Sequence, residues 1–345
     1  MASSSSYIST AIPKPSFPAP KALVPQIPAT LLPKSNPNPN SISISISTSR
    51  PLPSPLKYST SPSELAAARP AGILKPRLAA GEVLYGLFLM SSSPTLAEIS
   101  GLAGYDYVVV DLEHGPGGIS DALPCLRALA ATGTPAIIRV PENTPAVTKK
   151  ALDLGPQGIM FPSVETPEAA ALAVSYCRFP PRGVRGAAHP VVRASAYGVD
   201  DGYLSRCEED LLIMVQVETT VGVSEIEAIV GVEGVDCVQM GPLDLSTSMG
   251  WLWDPGNKKV RAVLKEAERR ELGMGRGLWL GGFAMPHDRE IELKARGYHM
   301  VVRAVDIGMF RAAAMEDVLH FRRAEVEIGE EDDNEKPSNA EYCSE

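Results

Sequence analysis

Two carboxylates in this sequence have the placement expected of a metal site. Glu218 comes directly after the apolar residues 211–217, and Asp244 follows the next apolar segment, residues 235–240. Carboxylates that leave positions open for water and substrate oxygens suit a hard divalent cation, Mg²⁺ or Mn²⁺ with Co²⁺ as a further candidate. Gln216 shares a strand face with Glu218 and would hold a substrate carbonyl or carboxylate. The alternative is that both acids only cap the helices that follow.

Groups suited to proton transfer and charge stabilisation follow two earlier apolar segments. His114 lies three residues after Asp111, and the glycine-rich residues 115–118 allow the chain to turn so that the carboxylate orients the imidazole. Such an imidazole is a suitable general base near neutral pH. Arg139, after the next segment, would stabilise an enolate oxygen or bind a carboxylate. A structural histidine and a structural arginine ion pair are the competing interpretations.

Some reaction types are disfavoured by what these segments lack. None of them ends in a lysine, which argues against a Schiff base and assigns the role of electron sink to a metal. The sequence also lacks a GxGxxG motif after a strand, a GxSxG elbow and a P-loop. The pattern therefore favours metal-assisted chemistry on a small molecule.

The elements that must position these residues are eight short apolar segments that alternate with helical stretches. They cover residues 83–89, 105–112, 136–140, 158–162, 211–217, 235–240, 276–280 and 299–305. Several are almost continuously apolar, as expected of parallel strands that are covered on both faces. Eight such units over residues 72–325 predict an α/β fold, a (β/α)₈ TIM barrel, rather than an open sheet. In this barrel the ends of the strands meet at one rim, where catalytic residues stand.

The two ends of the 345-residue chain differ from its centre in composition. Residues 1–63 are rich in serine and proline and contain five basic residues and no acid, whereas residues 325–345 contain nine acids and one lysine. We predict a disordered plastid transit peptide and linker over residues 1–65, hence a chloroplast stromal protein; a plain disordered tail is the alternative. Residues 326–345 are predicted to form an acidic disordered tail.

Other compositional features narrow the class of partner. The net charge is −9, and no basic patch with interleaved aromatic residues occurs, which disfavours nucleic acid. The sequence contains no run of eighteen or more apolar residues, the length that would suggest a membrane span. Five dispersed cysteines without a CxxC pair indicate free thiols in a reducing compartment. A small-molecule substrate is the partner these features favour.

Seven segments together resemble the HpcH/HpaI aldolase family, in order and with similar spacing over residues 83–321. They read GLFL (86–89), DLEHGP (111–116), IRVPEN (138–143), LDLGPQG (152–158), PPRGVRG (180–186), VQVET (215–219) and GPLDLS (241–246). The resemblance includes 4-hydroxy-2-oxoheptanedioate and 2-keto-3-deoxy-L-rhamnonate aldolases, here in a plastid form. It implies a class II pyruvate aldolase on a barrel of the phosphoenolpyruvate/pyruvate superfamily. Such an enzyme cleaves a 4-hydroxy-2-oxoacid, of the 2-keto-3-deoxy sugar acid type, to pyruvate and an aldehyde through a metal-stabilised enolate.

The resemblance also implies roles for the residues singled out above. Glu218 and Asp244 match the metal ligands, and His114 matches the general base with Asp111 as its partner. In the same way Arg139 matches the group that stabilises the enolate.

Further residues and the assembly follow only from the resemblance. Gln216 matches a substrate contact, and Asp153 matches an aspartate that tunes the base from a neighbouring subunit. The family also implies a homo-oligomer, a hexamer with its C-terminal helix packed on a neighbouring barrel. Leu243 replaces a residue that is commonly small in the family, so a bulky side chain would border the substrate pocket. A citryl- or malyl-CoA lyase and a silent barrel that serves as a plastid binding protein are the alternative functions.

Overall fold

The architecture is a closed barrel of eight parallel strands, seen in a computed structural model that describes residues 73–275 and 277–331. Each strand pairs with the next along the chain, and the last pairs with the first. The strands are β1 (Leu84–Leu89), β2 (Tyr107–Asp111), β3 (Ala136–Arg139), β4 (Gly158–Phe161), β5 (Leu212–Val217), β6 (Cys237–Met240), β7 (Trp279–Phe283) and β8 (Met300–Val305). The predicted (β/α)₈ barrel is confirmed.

Most of the helices connect successive strands and form the outer layer. The helices are α1 (Leu74–Ala79), α2 (Pro94–Ala103), α3 (Ile119–Ala131), α4 (Pro145–Asp153), α5 (Pro167–Cys177), α6 (Tyr203–Asp210), α7 (Thr220–Ser224), α8 (Ile226–Val230), α9 (Pro242–Ser248), α10 (Lys258–Gly273), α11 (Glu290–Ala295) and α12 (Asp306–Glu331). Ser93 caps the start of α2 and Thr166 caps the start of α5, and a proline follows each of them. Among the described helices, none has both the length and the hydropathy that a membrane crossing requires.

Two predictions about the chain ends fall partly or wholly beyond this description. The transit segment, residues 1–65, lies outside the described residues, as do residues 332–345 of the acidic tail. Helix α12 continues to Glu331, which is six residues into the segment assigned to that tail.

The seventh strand differs from its predicted position. It was predicted at residues 276–280, whereas β7 runs three residues later and contains both Gly281 and Gly282. A Cβ at Gly281 would overlap the side chain of Gln239, and one at Gly282 would overlap the ring of Tyr298. These glycines therefore allow close packing inside a strand, although the predicted strand ends just before them.

Strand periodicity divides the core into two parts. One set of side chains fills the interior of the barrel, and the other packs between the strands and the helices. Leu74 and Leu78 of α1 belong to the interior set, so this short helix closes the end of the barrel at which the strands begin. The opposite end, where the strands finish, is left open.

Glu271 in α10 makes stability depend on pH. Its side chain is buried, and its Oε2 atom has no hydrogen-bond partner among the described residues. Burial, reinforced by the charge of Glu268, raises the pKa of Glu271 to about 7. A carboxyl with a raised pKa stabilises the fold fully below its unfolded pKa and loses that contribution as the pH rises through the folded pKa.

We therefore expect Glu271→Gln to be more stable than the wild type at pH 8 by roughly 3 kcal/mol and nearly equal to it at pH 5. Urea unfolding at both pH values measures this difference. Glu266→Gln is the matched control, because Glu266 lies on the same helix but is exposed and paired with Arg269. An equal difference at pH 5 and pH 8 for Glu271→Gln would contradict the assignment.

Candidate active site

The last inward-facing positions of three strands bring polar side chains together at the open end of the barrel. Asp111 ends β2, Arg139 ends β3, and Gln216 occupies the corresponding position in β5; all three are buried. In the strand register Asp111 lies directly opposite Arg139. The alternation of strand side chains therefore places these residues in one polar layer above the apolar interior.

Asp111 and Arg139 form a buried ion pair. Nε and Nη2 of Arg139 donate to the two carboxylate oxygens of Asp111 at 2.8 and 2.5 Å. Burial by itself lowers the pKa of Arg139, but the hydrogen bonds and charge of Asp111 outweigh it and raise the pKa. The guanidinium also lies 4.8 Å from the ring centre of Phe88, so it is fixed from two sides.

The predicted pairing of Asp111 with the His114 side chain is replaced by this ion pair. Asp111 instead accepts a hydrogen bond from the backbone N–H of Glu113 at 3.0 Å. The backbone N–H of His114 lies 3.5 Å from the same carboxylate oxygen. The inward position opposite Arg139 buries Asp111 completely, whereas the His114 side chain is 57% exposed. In this chain Asp111 thus shapes the turn that carries His114 and positions Arg139.

Glu113 is a residue that the sequence reasoning did not select. Its Oε1 lies 3.7 Å from Nε2 of His114, and its Oε2 lies 2.9 Å from Nη1 of Arg139. Burial raises the pKa of Glu113, and the charge of Arg139 opposes that shift. Glu113 is therefore the carboxylate that faces the imidazole. Its position between Asp111 and His114 was the only signal in the sequence.

Glu218 is held at the end of β5 by three donors. Ser163 provides its backbone N–H at 2.7 Å and its hydroxyl at 3.1 Å to Oε1, and Gln216 provides its amide at 2.9 Å to Oε2. Burial raises the pKa of Glu218 to about 7; the hydrogen bond from Ser163 opposes this shift, and the charge of Asp244 reinforces it. Ser163, also missed from the sequence, has a φ of 50°, an uncommon conformation that directs its N–H at the carboxylate.

Asp244 enters the same cavity from the first turn of α9. Its side chain is exposed, and it lines a cavity of about 400 Å³ together with His114, Arg139 and Glu218. Leu243, the preceding residue, borders this cavity as predicted from its position beside Asp244. Gly241 keeps the approach to Glu218 open, because a Cβ there would overlap the Glu218 side chain. The structure thus brings the two predicted metal ligands, the base and the arginine to one cavity.

The donor set of this cavity fits a hard divalent cation with few protein ligands. Glu218 and Asp244 both offer carboxylate oxygens to this cavity. Within the described residues no cluster of three or more histidine, cysteine, aspartate or glutamate side chains has metal-site geometry. Such a cation would then take its remaining ligands from water and substrate oxygens, as Mg²⁺ commonly does.

Asp153 lies far from these residues along the barrel. It ends α4, the helix that returns from the open rim to the end at which β4 begins. There its carboxylate is 3.9 Å from Arg185, and burial raises its pKa while the charge of Arg185 opposes the shift. Within one chain Asp153 therefore does not join the site.

These observations define a class of protein, a (β/α)₈ barrel enzyme with carboxylates, an arginine and a histidine around one cavity at its catalytic rim. The sequence matches the HpcH/HpaI aldolase/citrate lyase family model over residues 84–313. The chain belongs to this family and is a carbon–carbon lyase.

Individual relatives agree with this assignment. The chain is 34% identical to a hydroxypyruvate/pyruvate aldolase of Chromohalobacter salexigens over 243 residues, which cover 70% of the chain and 94% of the relative. It is also 34% identical to a 2-keto-3-deoxy-L-rhamnonate aldolase of Escherichia coli, covering 72% of the chain and 92% of the relative. A crystal structure of a family member from Burkholderia cenocepacia has a TM-score of 0.68 at 37% identity, covering 72% of the chain and 98% of the relative.

Proposed function

We propose that the protein is a divalent-metal-dependent, class II aldolase that cleaves a 4-hydroxy-2-oxoacid to pyruvate and an aldehyde. The observation that carries this proposal is the cavity that Glu218, Asp244, Arg139 and His114 share. The names of the relatives, which include a pyruvate aldolase and a keto-deoxy sugar acid aldolase, support the same substrate class.

Glu218 and Asp244 are the residues that would hold the cation. When bound, it would supply Lewis-acid polarisation of the 2-oxo group, which lowers the cost of the electron pair released from the C3–C4 bond. Ser163 and Gln216 fix both oxygens of Glu218, so the carboxylate is oriented before substrate arrives.

The remaining residues have separate tasks in the cleavage. His114 takes the proton of the C4 hydroxyl, the C3–C4 bond breaks, and the hydroxyl carbon becomes the aldehyde carbonyl. The electron pair passes to the pyruvate enolate, whose oxygen Arg139 stabilises with the N–H groups that Asp111 does not occupy. C3 then takes up one proton, which balances the one that His114 removed, so pyruvate forms and the base returns to its starting state. Glu113 lies beside the imidazole, with its Oε1 3.7 Å from Nε2 of His114.

The proposal extends to assembly and location. Helix α12 leaves large apolar side chains exposed, including Phe310 at 72% and Phe321 at 64%, which is consistent with packing on another copy of the chain. Because Asp153 lies at the opposite end of its own barrel, it would reach a site only in a neighbouring copy. We retain the hexamer and the plastid stroma as parts of the proposal.

Exchange of the pyruvate methyl protons in D₂O, followed by NMR, tests the proposal without knowledge of the aldehyde. With Mg²⁺ we expect exchange well above the uncatalysed rate, and with EDTA we expect at least a 100-fold decrease, because the acidity of the methyl group depends on polarisation of the oxo group. Addition of excess Mg²⁺ after EDTA is the control and should restore exchange. Exchange that is equally fast with EDTA would refute the metal requirement, and no exchange with any divalent cation would refute the enolate.

A further inference from the structure

The cavity has an apolar wall that faces its charged residues. The residues of this apolar wall come from the ends of β7, β8 and β1 and from the segment after β6: Phe88, Met90, Leu243, Trp253, Phe283 and Val305. The wall is continuous because β7, β8 and β1 are neighbours in the barrel. The rings of Phe88 and Phe283 are 6.0 Å apart, which closes its centre. The polar groups of the chemistry thus stand on one side of the cavity and hydrocarbon stands on the other.

Positive charge touches the apolar wall only at Phe88, whose ring centre is 4.8 Å from the Arg139 guanidinium, as far as the described cavity lining shows. Of the described side chains that line the cavity, only Arg139 and His114 can be cationic, and both are adjacent to Glu113. A second carboxylate or a phosphate placed against the apolar wall would lose its hydration without gaining a partner. The wall therefore disfavours an aldehyde that carries an anionic group.

Trp253 lines the cavity from an anchored loop. Its φ is 56° and its side chain is 74% exposed, an uncommon conformation and exposure for a large aromatic residue. The loop is fixed on the preceding side by Trp251, whose backbone N–H donates to Ser246 at 2.7 Å and whose ring lies 5.5 Å from the Lys259 ammonium. An aromatic side chain held at the edge of an apolar wall is suited to covering an apolar ligand.

We propose that the aldehyde half of the substrate carries an uncharged alkyl or aryl side chain, which binds against the apolar wall. Leu243 and Trp253 are its specificity-determining residues. This inference rests on the proposed aldolase function and adds to it the chemical class of the second product. The pyruvate half then occupies the side of Glu218 and Arg139, and the new or broken C3–C4 bond lies between the two sides.

Aldol addition of pyruvate to four aldehydes tests the inference with the Mg²⁺-loaded protein. Butanal and benzaldehyde represent the proposed class, and glyceraldehyde and succinic semialdehyde represent hydroxylated and anionic aldehydes. We expect kcat/KM to be at least about 10-fold higher for the apolar pair, since one methylene in a matching pocket changes specificity by roughly that factor. Leu243→Ala and Trp253→Ala should each reduce this preference about 10-fold. Comparing variants with wild type cancels differences in the intrinsic reactivity of the aldehydes.

Leu252→Ala is the matched control, because Leu252 is an equally exposed apolar residue of the same loop that does not line the cavity. It should keep the wild-type preference. Pyruvate methyl exchange, measured on every variant, separates the two proposals. Two outcomes would overturn the inference and leave the aldolase function intact, both with normal pyruvate methyl exchange. One is that the wild type shows no preference for apolar aldehydes. The other is that neither Leu243→Ala nor Trp253→Ala changes the preference. Absence of pyruvate methyl exchange in the wild type would overturn both the aldolase function and the inference about the aldehyde.

Discussion

Replacing Glu218 by glutamine is expected to reduce aldol cleavage about 1,000-fold while the protein remains folded. Glutamine keeps the shape of the side chain and an oxygen that can accept the hydrogen bonds from Ser163. It removes the negative charge that a divalent cation requires. Steady-state kinetics with a 4-hydroxy-2-oxoacid substrate measures the loss, and titration calorimetry with Mn²⁺ shows whether the metal affinity falls in parallel.

Glu225→Gln is the matched control for this substitution. Glu225 follows the same strand a few residues later, is exposed, and does not line the cavity. Its replacement should leave both activity and Mn²⁺ affinity within a factor of two of the wild type, as is usual for surface changes. Full turnover by Glu218→Gln would refute the assignment of Glu218 as a metal ligand.

The raised pKa of Glu218 adds a pH dependence to the same experiment. Without a cation the carboxyl is protonated below about pH 7, so a proton and the metal compete for it. The apparent Mn²⁺ affinity of the wild type should therefore decrease by up to tenfold for each pH unit below 7. In Glu218→Gln this part of the pH dependence should be absent.

The sequence contained enough information to predict the barrel because its strands are buried on both faces. Such strands read as apolar segments, and most of them begin and end within two residues of their predicted positions. The exception is β7, where Gly281 and Gly282 are required by the side chains of Gln239 and Tyr298 on other elements. A requirement set by residues distant in the sequence has no local signal, so the predicted strand stops just before the pair.

The same distinction explains which parts of the site were predicted. The positions of Glu218, Arg139 and Asp244 follow from the rule that strand ends meet at one rim. Which side chains pair there depends on the register between strands, which the sequence does not show. The register sets Asp111 opposite Arg139. The cavity wall opposite them joins the last two strands, β7 and β8, to the first strand, which is far away in the chain.

Replacing Asp111 by alanine is expected to lower the free energy of unfolding by about 3–5 kcal/mol, because it leaves the buried Arg139 guanidinium without its main partner. Urea unfolding measures this loss. Asp201→Ala, which removes an exposed aspartate, is the control and should change stability by less than about 0.5 kcal/mol. Replacing Arg139 by methionine in the Asp111→Ala background should recover much of the loss, because the unpaired charge is then removed as well.

Asp111→Asn separates the two roles that this aspartate can have. If Asp111 positions Arg139, the substitution lowers kcat, and its effect is far from additive with that of Arg139→Met, because both changes disable the same group. If Asp111 instead orients the imidazole, its effect should be additive with that of Arg139→Met and far from additive with that of a substitution at His114. The complete burial of Asp111 against Arg139 and the exposure of His114 favour the first outcome. Effects that are additive with Arg139→Met but not with a His114 substitution would restore the Asp111–His114 pair as the functional unit.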